Sequence, residues 1–287
     1  MIIVKLQGGL GNQMFQYAMA LNYSNTVHLD FSFLKTNNIS NDQFTKRDFE
    51  LSIFPNLKFK NFTKFHRNIV FSNNILLRIL RKLLHVNFEY VHQIENEFVT
   101  ATKRTNIYFD GFFQSEKYFI LKRKEIIDIF RFPELDKKNK EVKKKILQQS
   151  NSVCLHIRRG DYLKPDVKKY HGILPNEYYI NSINLITENH LDAHFFVFSD
   201  DENYAKEQYG HLDNFTIIQG NSKNSWKDMA LMSVCKHHII ANSSFSWWGA
   251  WLSNSGNSIK IVPENWFNAE VAQFDIDLIK PFDWLKM

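Results

Sequence analysis

Ser152-Val153-Cys154-Leu155-His156-Ile157-Arg158-Arg159-Gly160-Asp161 decides how the second half of this chain is read. Its first six residues form a short, mainly apolar run, which by length and composition is a strand. The run then breaks into two arginines and a glycine. Four more short β-type runs follow: His194–Ser199, Phe215–Gln219, His238–Ala241 and Ile259–Val262. Helical patterns separate them, near Asn176–Glu188, Glu202–Tyr209, Trp226–Lys236 and Phe245–Ser253. Strands that alternate with helices require crossover connections, and so predict an α/β fold with parallel sheet covered on both faces. Ligands of such sheets sit at the carboxyl ends of the strands, where Arg158 and Arg159 fall. The N-terminus opens in the same manner. Ile2–Leu6 reads as a strand, Gly8-Gly9-Leu10-Gly11-Asn12 as a turn, and Gln13–Asn22 as a helix.

The chain has 287 residues, enough for one large domain or two of roughly 100–200 residues. Asp136–Lys145 is dense in charge and reads as a solvated helix face at a junction. The expected domains are therefore 1–140 and 141–287, with the last residues packing back on the first domain. A hydrophobic content of 44% with only 10 Gly and 6 Pro excludes disorder. The 26 Phe are expected to lie mostly in the core. The net charge of +6 favours anionic partners, whether nucleotides, phosphoglycans, nucleic acid or a lipid surface, without choosing among them.

Cys154 and Cys235 sit in apolar runs and match neither a metal spacing nor a disulfide framework, which fits a reducing compartment. The run Met1–Leu6 is too short for a secretion signal, and no later run approaches a membrane span. A soluble, cytoplasmic protein is expected, at most peripheral on the inner face of the membrane. Residues 75–85 bear on that last point. Helical spacing puts Arg78, Arg81, Lys82 and His85 on one face and the leucines on the others. The default is a helix packed on its own domain, and the alternative is one lying on an anionic membrane.

Four segments can carry chemistry. In His156–Asp161 the guanidinium forks of Arg158 and Arg159 suit a pyrophosphate, and Gly160 lets backbone come close. A diphosphate leaving group gains charge as its bond breaks, so a fixed guanidinium there favours the transition state. The alternative is a loop held by a structural Arg–Asp pair. Asn242-Ser243-Ser244 follows a strand and opens a helix, so its side chains cap that helix, hold a phosphate, or do both. Trp247 and Trp248 behind it read as core anchors rather than sugar platforms. Asp200 and Asp201 either accept hydrogen bonds from a base such as guanine or cap the next helix, and Asp228 has the same two readings. The Gly8–Asn12 turn is no dinucleotide fingerprint, since Met14 occupies the third glycine position, and no P-loop Gly-Lys-Ser/Thr follows. It can still bring the Asn12 amide against a sugar.

Metal signals are weak. His190 and His194 straddle a helix end and a strand start, and Asp275-Ile276-Asp277 lies away from the strand ends. No metal and no cofactor are expected, with basic residues handling the diphosphate.

Five segments taken in order resemble glycosyltransferase family 11, the bacterial and animal α-1,2-fucosyltransferases. They are Gly8–Ala18, Gly111–Phe119, His156–Tyr162, Phe198–Asp201 and Asn242–Ala250. The likeness spans nearly the whole chain and is least specific over 30–105. It implies a GT-B fold, with two Rossmann-like domains facing across a cleft and the donor held mainly by the second. It also implies GDP-β-L-fucose as donor, inversion at the anomeric carbon and no metal. Residue by residue, Arg158 corresponds to the diphosphate ligand, with His156 and Arg159 supporting it. Ser243 and Ser244 correspond to further phosphate contacts, Asp200, Asp201 and Asp228 to guanine and ribose contacts, and Asn12 to a place near the fucose. The general base is not fixed by any motif; Asp161, Asp166 and Glu177 are the carboxylates in range. The expected acceptor is an oligosaccharide or lipid-linked glycan, such as an O-antigen or capsule repeat, with a β-galactoside as the family's usual target.

Three rivals remain. One is an enzyme of the same mechanics using another GDP-sugar. A nucleic-acid-binding protein would suit the charge, but no recognised module appears, so no nucleic acid is expected. A sugar-nucleotide oxidoreductase fails on the glycine fingerprint.

Overall fold

A computed structural model describes residues 1–36, 46–83, 87–94, 97–268, 270–271 and 275–287, apart from the side chains at 69 and 80. The described residues form two compact units, one ending at Arg131 and one running from Phe132 to Met287. The charged helix Lys137–Gln148 lies wholly in the second.

The first unit holds strands β1 (Ile2–Lys5), β2 (Val27–Asp30), β3 (Phe59–Asn61), β4 (Glu89–His92) and β5 (Ile107–Asp110). They lie in the order β3-β2-β1-β5-β4, and every pairing is parallel. The helix after β1 spans Leu10–Leu21, three residues earlier than the glycines implied, so Gly11 and Asn12 already belong to its first turn. Gly8 turns the chain at φ +76°, where a Cβ would meet Asn12 Nδ2 at 2.3 Å. Only glycine fits that turn.

The second unit holds β6 (Ser152–Ile157), β7 (His194–Ser199), β8 (Phe215–Ile217), β9 (His237–Ile239), β10 (Lys260–Val262) and β11 (Leu285–Lys286). Their order is β11-β10-β9-β6-β7-β8, again all parallel. Counted from β6, that is the Rossmann order 3-2-1-4-5-6. Side chains alternate across it. Val153, Leu155 and Ile157 pack with Tyr178, Tyr179 and Ile186 of the helix Asn176–Asn189. Cys154 and Phe196 face the other way, onto Ile146 and the helix Trp226–Met232. A sheet buried on both faces needs apolar side chains in both registers, which is why these strands read as unbroken apolar runs.

The C-terminal residues complete the second sheet. Leu285–Lys286 pairs with β10, Met287 N donates to Val262 O at 3.1 Å, and Trp284 lies against Trp247. The phenylalanines are less uniformly buried than the composition implied, since Phe65 and Phe282 are exposed. Among the described residues, no helix is long and apolar enough to cross a membrane.

Candidate active site at the switch point of the second sheet

Strand order reverses between β6 and β9, so loops leaving their carboxyl ends diverge and open a crevice. After β6 comes Arg158–Asp161; after β9 comes Asn242–Ser244. The two loops are tied together by Tyr162, whose hydroxyl donates to Asn242 O at 2.9 Å. His156, the last inward-facing side chain but one on β6, lies 6.1 Å from the Phe245 ring.

Arg158 is gripped from two sides. Its guanidinium meets Asp161 Oδ1 at 2.6 Å and Asp200 Oδ2 at 3.1 Å, and lies over the Tyr162 ring at 5.6 Å. Burial works against its charge, but Asp200 and then Asp161 outweigh burial and hold it ionised above the ordinary arginine range. These two contacts occupy two of the five N–H donors of a guanidinium. The fork is thus fixed in orientation while retaining donors for an anion. Arg159 uses its backbone N–H to donate to Asp200 Oδ1 at 2.8 Å. Its guanidinium stacks on Tyr204 at 3.9 Å and pairs with Asp201 Oδ2 at 3.5 Å.

Asp200 therefore organises the arginine loop with both oxygens. Gly160 serves the same contact, since a Cβ would sit 2.7 Å from Asp200 Oδ2. Asp201 caps the helix Glu202–Tyr209, accepting from Tyr204 N at 3.1 Å. Ser243 caps the helix Ser244–Leu252, accepting from Phe245 N at 3.3 Å. Ser244 opens that helix, whose free N–H groups and dipole favour an anion. Two arginines face three carboxylates here, so the helix end adds positive potential that the side chains alone lack. Trp247, Trp248 and Trp251 are all buried in the core, and Trp247 Nε1 donates to Ile279 O at 2.9 Å.

Several buried polar atoms around this loop make no hydrogen bond: His156 Nδ1, His171 Nδ1 and Asn242 Oδ1. Buried polar atoms are nearly always satisfied, and a cluster of exceptions marks a place where a ligand or water completes them. Burial, with the Arg158 charge second, pushes His156 down to about 3. His171 is pushed down to about 4, again mainly by burial. Both are neutral imidazoles able to donate or accept.

Asp228 belongs to a different cluster. It accepts from Asn221 Nδ2 at 2.6 Å, and Asn221 exchanges amide bonds with Asn139 at 3.0 and 3.1 Å. Burial raises its carboxyl to about 6. Asp166 and Glu177 stand exposed in the first turns of the helices Pro165–His171 and Asn176–Asn189. In the first unit, Asn12 Oδ1 accepts from Gln114 Nε2 at 2.7 Å, and Gln114 Oε1 is buried without a partner.

Sequence reasoning missed Tyr162, His171 and Tyr204. Tyr162 follows Asp161 directly and was in plain view. His171 reaches the site by stacking on Tyr162 at 4.8 Å, and no local pattern announces it. Among the described residues no three His, Cys, Asp or Glu side chains gather as a metal-holding group. Asp275 caps the helix Ile276–Ile279 instead, and His190 lies against His237 with ring centroids 4.5 Å apart.

An arginine loop at the switch point of a Rossmann-like unit, with a second parallel α/β unit in the same chain, defines a protein of GT-B make-up. The family model of glycosyl transferase family 11 matches residues 1–287. The chain belongs to that family and is a glycosyltransferase. An alpha-1,2-colitosyltransferase of Escherichia coli is 34% identical over 94% of this chain and 93% of its own. The O-antigen biosynthesis glycosyltransferase WbnK, also of Escherichia coli, is 33% identical over 91% and 93%. A galactoside alpha-(1,2)-fucosyltransferase 1 of Lagothrix lagotricha is 28% identical over 35% of this chain and 28% of its own. Among solved structures, the fucosyltransferase NodZ from Bradyrhizobium aligns with a TM-score of 0.44 at 13% identity, over 86% of this chain and 91% of that one.

Proposed function

We propose that this protein transfers L-fucose from GDP-β-L-fucose to the 2-hydroxyl of a glycan, a β-galactoside by preference, in the synthesis of a bacterial surface polysaccharide. The transfer inverts the anomeric centre and needs no metal. The carrying observation is Arg158, fixed by Asp161 and Asp200 at the switch point, with unbonded buried atoms of His156, His171 and Asn242 on the neighbouring segments. Three N–H donors of Arg158 remain for the diphosphate, the start of the helix Ser244–Leu252 adds dipole, and the neutral His156 imidazole can donate one further bond. Guanidinium and dipole stabilise charge that grows on the diphosphate as the glycosidic bond breaks, which is where catalysis has most to gain. The acceptor oxygen attacks from the opposite face and loses its proton. The names of the similar proteins support an α-1,2 linkage and an O-antigen acceptor.

A second reading keeps the mechanism and changes the donor sugar, on the strength of the colitosyltransferase likeness. Colitose is L-fucose without its 3-hydroxyl. A site built to bond that hydroxyl rejects the deoxy sugar strongly, whereas an apolar site discriminates weakly. Incubation with GDP-fucose and GDP-colitose, a glycan panel and a chelator, followed by linkage analysis, separates the readings. Transfer of fucose in α-1,2 linkage with chelator present is expected. Exclusive use of GDP-colitose, or loss of turnover on chelation, would overturn the first reading.

A further inference from the structure

The first unit carries a surface to which none of the residues named for the transfer reaction belongs. Between Glu50 and Glu89 the chain has no acidic residue, while it has seven lysines and arginines, among them Lys64, Arg67, Arg78 and Lys82. Within that stretch the helix Ile75–Leu83 turns its apolar stripe outward. Ile75, Leu76, Ile79 and Leu83 are 70%, 72%, 51% and 70% exposed. Their spacing places them on one face, and a surface helix ordinarily buries such a face against its own domain. That ordinary packing was the expectation, and it is not what is found.

The reason lies in Arg81. Instead of joining Arg78 and Lys82, it points back and donates to Val70 O and, at 2.6 Å, to Ser72 O at the end of the helix Lys64–Phe71. The inward side of the helix is thus tied down by a polar anchor, leaving the apolar stripe to face out. Phe65 on the neighbouring helix is also exposed, at 71%. His85, read with these residues in the sequence, lies outside the described residues.

We propose that the helix Ile75–Leu83, with Phe65 beside it, docks the enzyme on an anionic phospholipid surface. The stripe enters the acyl boundary while Arg78 and Lys82 at its margin meet the lipid phosphates. Charge complementarity chooses this occupant. A second copy of the chain would bring the same basic margin against itself, since a two-fold interface is self-complementary. Each basic residue near an anionic membrane strengthens binding by about fivefold, so a wholly basic segment is suited to lipid in a way that a neutral apolar patch is not. The docking does not depend on which sugar is transferred, and a lipid-linked acceptor would be presented at the same surface.

The test is co-sedimentation of the full chain with vesicles of phosphatidylglycerol and phosphatidylcholine, against phosphatidylcholine alone. It compares wild type with R78E/K82E and with L76S/I79S, thermal melting confirming that each is folded. Wild type should partition onto the anionic vesicles and leave the neutral ones, and each double variant should bind them about tenfold more weakly or less. Equal binding to both vesicle types, or undiminished binding by folded variants, would overturn the proposal. So would a concentration-dependent dimer, seen by sedimentation velocity, that L76S/I79S disrupts in a protein that ignores vesicles.

Discussion

Gly160 has no room for a side chain, because a Cβ would stand 2.7 Å from Asp200 Oδ2. That oxygen belongs to the carboxylate that grips Arg158 and takes the Arg159 N–H. Gly160→Ala should therefore push Asp200 aside and release the guanidinium fork, at a stability cost of about 1–3 kcal/mol. Affinity for GDP, measured by calorimetry, is expected to fall about tenfold or more while the far-ultraviolet dichroism stays unchanged. Unaltered affinity would show that Asp200 is not needed to aim Arg158. The sequence places this glycine next to arginines and so next to an expected phosphate. Its true neighbour is a residue forty positions on, brought there by the pairing of Ile157 with Ser199. Local pattern identifies the arginine loop, but a partner supplied by an adjacent strand leaves no mark near it.

Among the elements, the helix Leu10–Leu21 is held to its surroundings by glutamine amides. Gln13 is fully buried. Its Nε2 donates to Gly8 O at 2.9 Å and Asp48 O at 2.8 Å, and its Oε1 accepts from Glu50 N at 3.0 Å. Gln16 accepts from Gln7 N and donates to Gly111 O, both at 3.1 Å, spanning the ends of β1 and β5. Gln13→Leu would leave three backbone groups unpaired and should destabilise the protein by about 2–3 kcal/mol in urea unfolding. A change below about 0.5 kcal/mol would deny the amide this role. The five strands β6 to β10 were legible within a few residues, because β6 and β7 are largely apolar on both faces and the other three lie in short apolar runs between helices. In the first unit only β1 was. The edge strands β3 and β4 are short and largely exposed, and so lack the apolar signature on which strand reading depends.

Among the described residues, burial lowers six histidines, four of them far enough to stay neutral well into acid. His156 and His238 are pushed down to about 3, and His171 and His237 to about 4. Their unfolded forms take up protons near pH 6.5, so the unfolded chain gains more protons on acidification. This stability is fully present above about pH 6.5 and is lost as pH falls towards 3–4. Each such histidine is worth about 1.4 kcal/mol between pH 7.5 and 5.5 by that linkage. Asp228 runs the other way. Raised by burial to about 6, it contributes most below the unfolded value of 3.8 and loses that contribution as pH rises through about 6. Four groups outweigh one, so the melting temperature should drop from pH 7.5 to pH 5.5, and Asp228→Asn should steepen that drop by stabilising the neutral-pH form. A flat profile would mean that the histidines are solvated.

The role of Arg158 is read most directly by calorimetric titration of GDP into wild type and Arg158→Ala, alongside turnover with the preferred donor. Loss of a fixed charged donor at a diphosphate should weaken GDP binding and turnover by about a hundredfold or more, with the circular dichroism of a folded protein. Affinity and turnover within a factor of about three of wild type would contradict the placing of the diphosphate on this loop.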